Sequence, residues 1–182
     1  MPRDRLGAVV GAVFGLVFVL VNSGAAGAPW ATVLRVLGAL VFVAVLWHQR
    51  RYSASSGPAG TRPGALRTYW TSVVLDVVAL VAGTAILSRT GHGEYGVAWV
   101  ALVVGVHFLP FASAFDLPSF RWLGASLIAL GVAGTALGVA GLGAVAPALV
   151  AGVGSGFVLM GFASVRFVRN DLSTPAVVDA RE

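Results

Sequence analysis

Asp76 stands in the run TSVVLDVVALVAG (71–83) and His107 in VVGVHFLPFAS (103–113), each an ionisable group in a stretch that is otherwise apolar or small. A carboxylate beside an imidazole can take up and release a proton, because histidine titrates near neutrality and a neighbouring charge tunes it. The same pair can instead act as a buried polar clasp that fastens two helices, worth about 1–2 kcal/mol. Both readings stay open at this stage. Either one requires a partner, since an isolated carboxylate in hydrocarbon costs roughly 2.5–3.5 kcal/mol even on the insertion scale. The sequence supplies one by symmetry: Asp76 and His107 are equidistant from the middle of the turn RTGHGE (89–94), so a tight antiparallel hairpin sets them at one depth. Ser72, Asp76, Ala79 and Gly83 recur at helical spacing as a small and polar stripe, which is expected to face other helices. Pro110 removes a backbone donor one turn after His107 and would free the carbonyl of Val106.

Other polar residues are weaker candidates. Arg35 sits about a turn and a half inside the start of an apolar run, with Glu94 as its best acidic partner for an outer ion pair; an arginine reaching lipid phosphates is the alternative. Asp116 and Arg121 flank the loop DLPSF and read as solvated or capping residues, and His48 and His92 lie in or beside loops. Three scattered histidines and no cysteine leave no metal-ligand spacing, no thiol nucleophile and no disulfide. There is no G-x-S-x-G, and GLG (141–143) has neither the strand nor the lysine of a phosphate-cradling loop. No cofactor is expected.

The elements that must position these groups are helices in lipid. Hydrophobic residues make up 58% of the chain and charged ones 10%, against about 25% charged in soluble proteins, so water is not its main solvent. Six apolar stretches, approximately 6–22, 30–48, 69–88, 95–113, 120–140 and 144–167, each approach the length that crosses a bilayer core of roughly 30 Å as helix. VLRVLGALVFVAVLW (33–47) shows no two-residue alternation, which argues against a barrel. The predicted fold is all-α, a polytopic bundle of six transmembrane helices arranged as three antiparallel hairpins. Its glycines read as helix-packing positions, notably Gly7, Gly11 and Gly15 in the first helix, Gly134 and Gly138 in the fifth, and Gly152 and Gly156 in the sixth. Those stripes also predict a homo-oligomer.

Arginine placement predicts orientation. Ten of the twelve fall at the N-terminus, in the 49–68 connection, at Arg121 or in the C-terminal segment (Arg166, Arg169, Arg181), and only Arg35 and Arg89 fall on the opposite side. Both termini are therefore expected in the cytoplasm of a cell whose inner (plasma) membrane holds the protein, with anionic lipids as partners at that face. Nucleic acid is not expected, because the arginines are spread over short loops. The N-terminal stretch ending in Ala26–Ala28 has the form of a cleavable leader, but the Gly7, Gly11, Gly15 stripe argues for a retained helix. The expected organisation is a first hairpin over 1–50, a flexible cytoplasmic loop over 51–67, a four-helix region over 68–168 and a tail over 169–182.

Within the four-helix region VAGTA recurs at 81–85 and 132–136, and FAS at 111–113 and 162–164, both offset by 51 residues, which predicts two repeated hairpins. Over residues 70–169 the rhythm of apolar helix, small-residue turn and Arg-terminated helix, ending GFVLMGFASVRFVR (156–169), resembles the HdeD-like family of small six-helix bacterial membrane proteins. That resemblance implies a stress or acid-resistance role without catalysis and assigns nothing to Asp76 or His107. Three functions follow as expectations: an accessory or stress-related membrane protein held together by its polar residues, a proton-linked transporter or channel subunit using Asp76 and His107, and an intramembrane enzyme acting on a lipid or isoprenoid.

Overall fold

The computed structural model describes residues 3–51, 64–115 and 117–164. Most of the expected 51–67 loop, the 169–182 tail, Asp116 and the arginines at 166, 169 and 181 lie outside them. The helices are α1 (Arg3–Asn22), α2 (Trp30–Arg51), α3 (Ala65–Arg89), α4 (Gly96–Ala114), α5 (Ser119–Leu137) and α6 (Ser155–Ser164). The described residues form an all-α fold with six segments long and apolar enough to cross a membrane: Gly7–Ala26, Trp30–Arg51, Ala65–Arg89, Gly93–Ala114, Ser119–Leu142 and Pro147–Ser164. Two helices intrude on the expected loop: Arg51 closes α2, and residues 65–67 already belong to α3.

The sixth span differs from expectation. Its first half, Pro147–Gly154, is wound as a π-helix before α6 begins at Ser155. The fifth span runs on past α5 over Gly138–Leu142 and breaks at Gly141, whose φ of +110° only glycine adopts without strain. Gly141 and Gly143 together turn the chain over.

Sequential helices do pair, α1 with α2 and α3 with α4, but the most extensive contacts are between hairpins: α4 against α5 and α1 against α6. Both depend on glycine. A Cβ on Gly105 would lie 2.8 Å from the carbonyl of Gly124, and one on Gly124 2.6 Å from the carbonyl of Gly105. Gly15 and Gly156 repeat the arrangement across α1 and α6, at 2.6 and 2.5 Å. Lipid gives no hydrophobic drive for helices to associate, so close backbone approach of this kind supplies the dispersion that holds them.

Of the glycines singled out in the sequence, Gly134 lies against Ala151 and Pro147, Gly138 against Tyr95 and Pro147, and Gly152 against Asn22. Gly11 only reaches Ala163, at 4.0 Å, and Gly7 has nothing within 4 Å. Packing inside the chain thus occupies Gly15, Gly134, Gly138, Gly152 and Gly156. The helix order across the bundle runs α3, α4, α5, then the sixth span, then α1 and α2. α3 is the thin edge. Its substantial contacts are with α4 and the Gly93–Tyr95 turn, and Trp70, Val74, Leu75, Val78 and Val81 point outward, as on a lipid-facing surface.

Candidate functional site

Positioning of Asp76 and His107 starts at the turn between their helices. α3 ends in a glycine cap: His92 N–H donates to the Leu87 carbonyl (2.8 Å) and Gly91 N–H to that of Ser88 (3.4 Å), with Gly91 at φ +80°. The Thr90 hydroxyl donates to the Ile86 carbonyl at 2.9 Å. This compact reversal sets α3 and α4 antiparallel with the register centred near Gly91, and the two ionisable residues come opposite one another.

They also share a face. His107 Nδ1 lies 3.9 Å from Asp76 Oδ1, with the two side chains only 15% and 18% exposed. The separation is an ion-pair distance when the imidazole is protonated, and too long for a direct hydrogen bond. Both facing atoms are buried and neither has a hydrogen-bond partner among the described residues. Among the described residues, the other ionisable groups on elements packed against the pair are Arg67, Tyr69 and Arg89 on α3, Glu94 and Tyr95 before α4 and Arg121 on α5; none of them forms an ion pair with Asp76 or His107. Pro147–Gly154, which also packs on α4, carries no ionisable side chain.

Aromatic rings pack against His107. Phe111 lies 4.2 Å from the His107 ring centre to centre, and Tyr69 stacks on Phe111 at 5.4 Å with 22° between planes. Phe115 packs edge-on against both Tyr69 and Phe111. These rings lie between the pair and the end of the bundle that carries Arg67 and Arg121. On the other side, the Trp99 indole N–H donates to the Ala79 carbonyl at 2.9 Å and its ring covers Gly83. Ala79, Ala82, Gly83, Ile86, Leu87 and Trp99 line an open apolar groove of about 320 Å³ beside that contact. The stripe through Asp76, Ala79 and Gly83 therefore faces α4 along its length. Ser72, a turn before Asp76, is half-buried.

Trp99 is a contact that the sequence pattern did not single out. The signal was present: Gly83 and Trp99 straddle the same turn as Asp76 and His107, with centres half a residue apart, and a glycine opposite a tryptophan is a seat for the ring. By contrast Trp30, Trp47, Trp70 and Trp122 are exposed near helix ends, as interfacial anchors are.

The outer ion pair does not form. Arg35 Nε donates to Ser23 Oγ at 3.0 Å, tying α2 to the segment after α1, and Ser23 is fully buried. Glu94 lies instead 3.8 Å from His92, on the other side of the bundle order. Arg35 and Glu94 were matched by depth alone, and the hairpins carry them to different neighbours. Arg50, Arg51, Arg67 and Arg121 are exposed at one end of the bundle, where Gln49 Nε2 donates to the Ala163 carbonyl and Arg51 lies 4.5 Å above the Trp47 ring. Among the described residues no group of three metal-ligating side chains comes together.

No family model, curated protein or solved structure matches the chain. The HdeD-like resemblance therefore rests on helix rhythm alone.

Proposed function

We propose that this chain is an integral membrane protein in which Asp76 and His107 form a proton-binding site, serving the proton-linked passage of a small solute as a transporter or channel subunit. The observation that carries the reading is the pair itself: an acid and an imidazole 3.9 Å apart, each less than a fifth exposed, whose facing atoms have no hydrogen-bond partner among the described residues. Such intramembrane pairs accompany proton relays because the low dielectric couples each group's charge strongly to its neighbour's. The arginines at one end of the bundle support a cytoplasmic placement of that end and of both termini, against anionic headgroups.

Proteoliposomes holding a trapped pH-sensitive dye test this reading. Under an imposed pH gradient the protein conducts protons above the level of empty liposomes, and Asp76→Asn and His107→Gln fall to that level while still eluting as folded protein. Wild-type liposomes no leakier than empty ones, or variants as active as wild type, would overturn it.

A second reading, an accessory or stress-related protein in which the pair only fastens helices, is favoured by the thin packing of α3, which needs cohesion with α4. It predicts loss of folded protein in both variants.

A further inference from the structure

The two later hairpins agree in more than their short sequence identities. Thr84 on α3 donates its hydroxyl to the Leu80 carbonyl at 2.6 Å, and Thr135 on α5, at the 51-residue offset, donates to the Gly131 carbonyl at 2.9 Å. Gly83 and Gly134 occupy equivalent positions, and each is covered by the returning helical limb of its own hairpin: Gly83 by Trp99, Gly134 by Ala151 and Pro147. Gly105 and Gly156 are equivalent too, and each meets the backbone of a glycine on a helix of the next hairpin in the bundle, Gly124 and Gly15 respectively.

At the same offset Asp76 corresponds to Leu127, His107 to Val158 and Phe111 to Phe162. Leu127 is 1% exposed and lies in an apolar cluster with Leu123 and Leu159, against which Val158 and Phe162 pack. The phenylalanine is kept and the polar pair is exchanged for aliphatic side chains.

We infer that α3–α4 and α5 through α6 are two copies of one helical hairpin, and that Asp76 and His107 are a chemical site installed in one copy at positions the other fills with Leu127 and Val158. This rests on the proton-site reading and sharpens it. One hairpin already shows that aliphatic groups suffice to bring its helices together at this depth, so the pair is not required to shape the other. The placement fits the division: the apolar copy lies centrally, α5 being packed on α4 and the sixth span, while the polar copy forms the edge of the bundle. The first copy is the working half and the second its scaffold.

The test transplants the scaffold's residues. Asp76→Leu combined with His107→Val is expressed in membranes, extracted, and compared with wild type by size-exclusion profile and thermal melt, alongside Asp76→Asn combined with His107→Gln. The inference expects the aliphatic double variant to elute as folded protein and to melt at or above the wild-type temperature, with proton conduction gone. Loss of the aliphatic double variant from the folded fraction, or a melt well below that of the Asn/Gln variant, overturns it. A wild type that conducts no protons sinks the proton reading, whereas the folding of the double variant decides the equivalence of the hairpins; the two failures are read separately.

Discussion

Gly156→Leu is expected to strip α1 from α6 and remove most of the folded protein. Even the first carbon of a side chain at Gly156 would lie 2.5 Å from the Gly15 carbonyl oxygen and 2.7 Å from Val19 Cγ2. Backbone carbonyl cannot rotate aside as a flexible side chain can, so the helices must separate. Separation exposes Val19 and Met160, both fully buried in the cluster that joins these helices. Overpacking of this kind costs about 3 kcal/mol, a large share of a typical stability margin. Gly7→Leu is the matched control: it adds the same side chain to α1 at a point with nothing within 4 Å and should leave the melt unchanged. Fluorescence-detected thermal melts of the two variants in one detergent compare them, and equal melting temperatures would show that the α1–α6 crossing is not held by close backbone approach.

His107→Val alone should cost about 3 kcal/mol, since it removes the one ion-pair partner Asp76 has among the described residues, and breaking such a pair on one side is far worse than replacing both members. Asp76→Leu alone should also cost stability, because it leaves the buried His107 Nδ1 without its nearest polar neighbour. The double variant should then recover most of the loss, giving a strongly non-additive cycle of the kind that contacting residues show. Chemical or thermal melts of the four proteins measure it. Additive losses would mean that Asp76 and His107 act independently and that their proximity carries no energy.

Much of this architecture could be read from the residues alone. Six apolar runs predicted six spans within a few residues of their observed bounds, because a bilayer sets a length scale that sequence displays directly. The opposition of Asp76 and His107 followed from equal distances to a glycine turn, and the Gly91 cap shows why that turn is tight enough for the count to hold. Contacts between hairpins were another matter. Gly105 and Gly124 bring α4 and α5 together, yet neither differs in type from glycines that touch nothing, such as Gly7. Small residues at Ala98, Ala101 and Gly105 share one helix face and are all buried, a signal visible at helical spacing but diluted by the abundance of alanine and glycine elsewhere. Arg35 shows the same limit: its depth could be counted, but its partner, Ser23, depended on how the chain leaves α1, which no periodicity encodes. The π-winding of Pro147–Gly154 likewise has no counterpart in the apolar pattern, since side-chain hydropathy does not report which carbonyl each N–H selects.

The central claim is that Asp76 and His107 bind and release protons as one coupled unit, and nitrogen-15 NMR of the imidazoles in lipid nanodiscs tests it most directly. The His107 resonances, assigned by their disappearance in His107→Gln, should move when Asp76 is replaced by asparagine while those of His48 and His92 stay in place, because only His107 lies against the acid. His107 resonances identical with and without the acid would contradict the account.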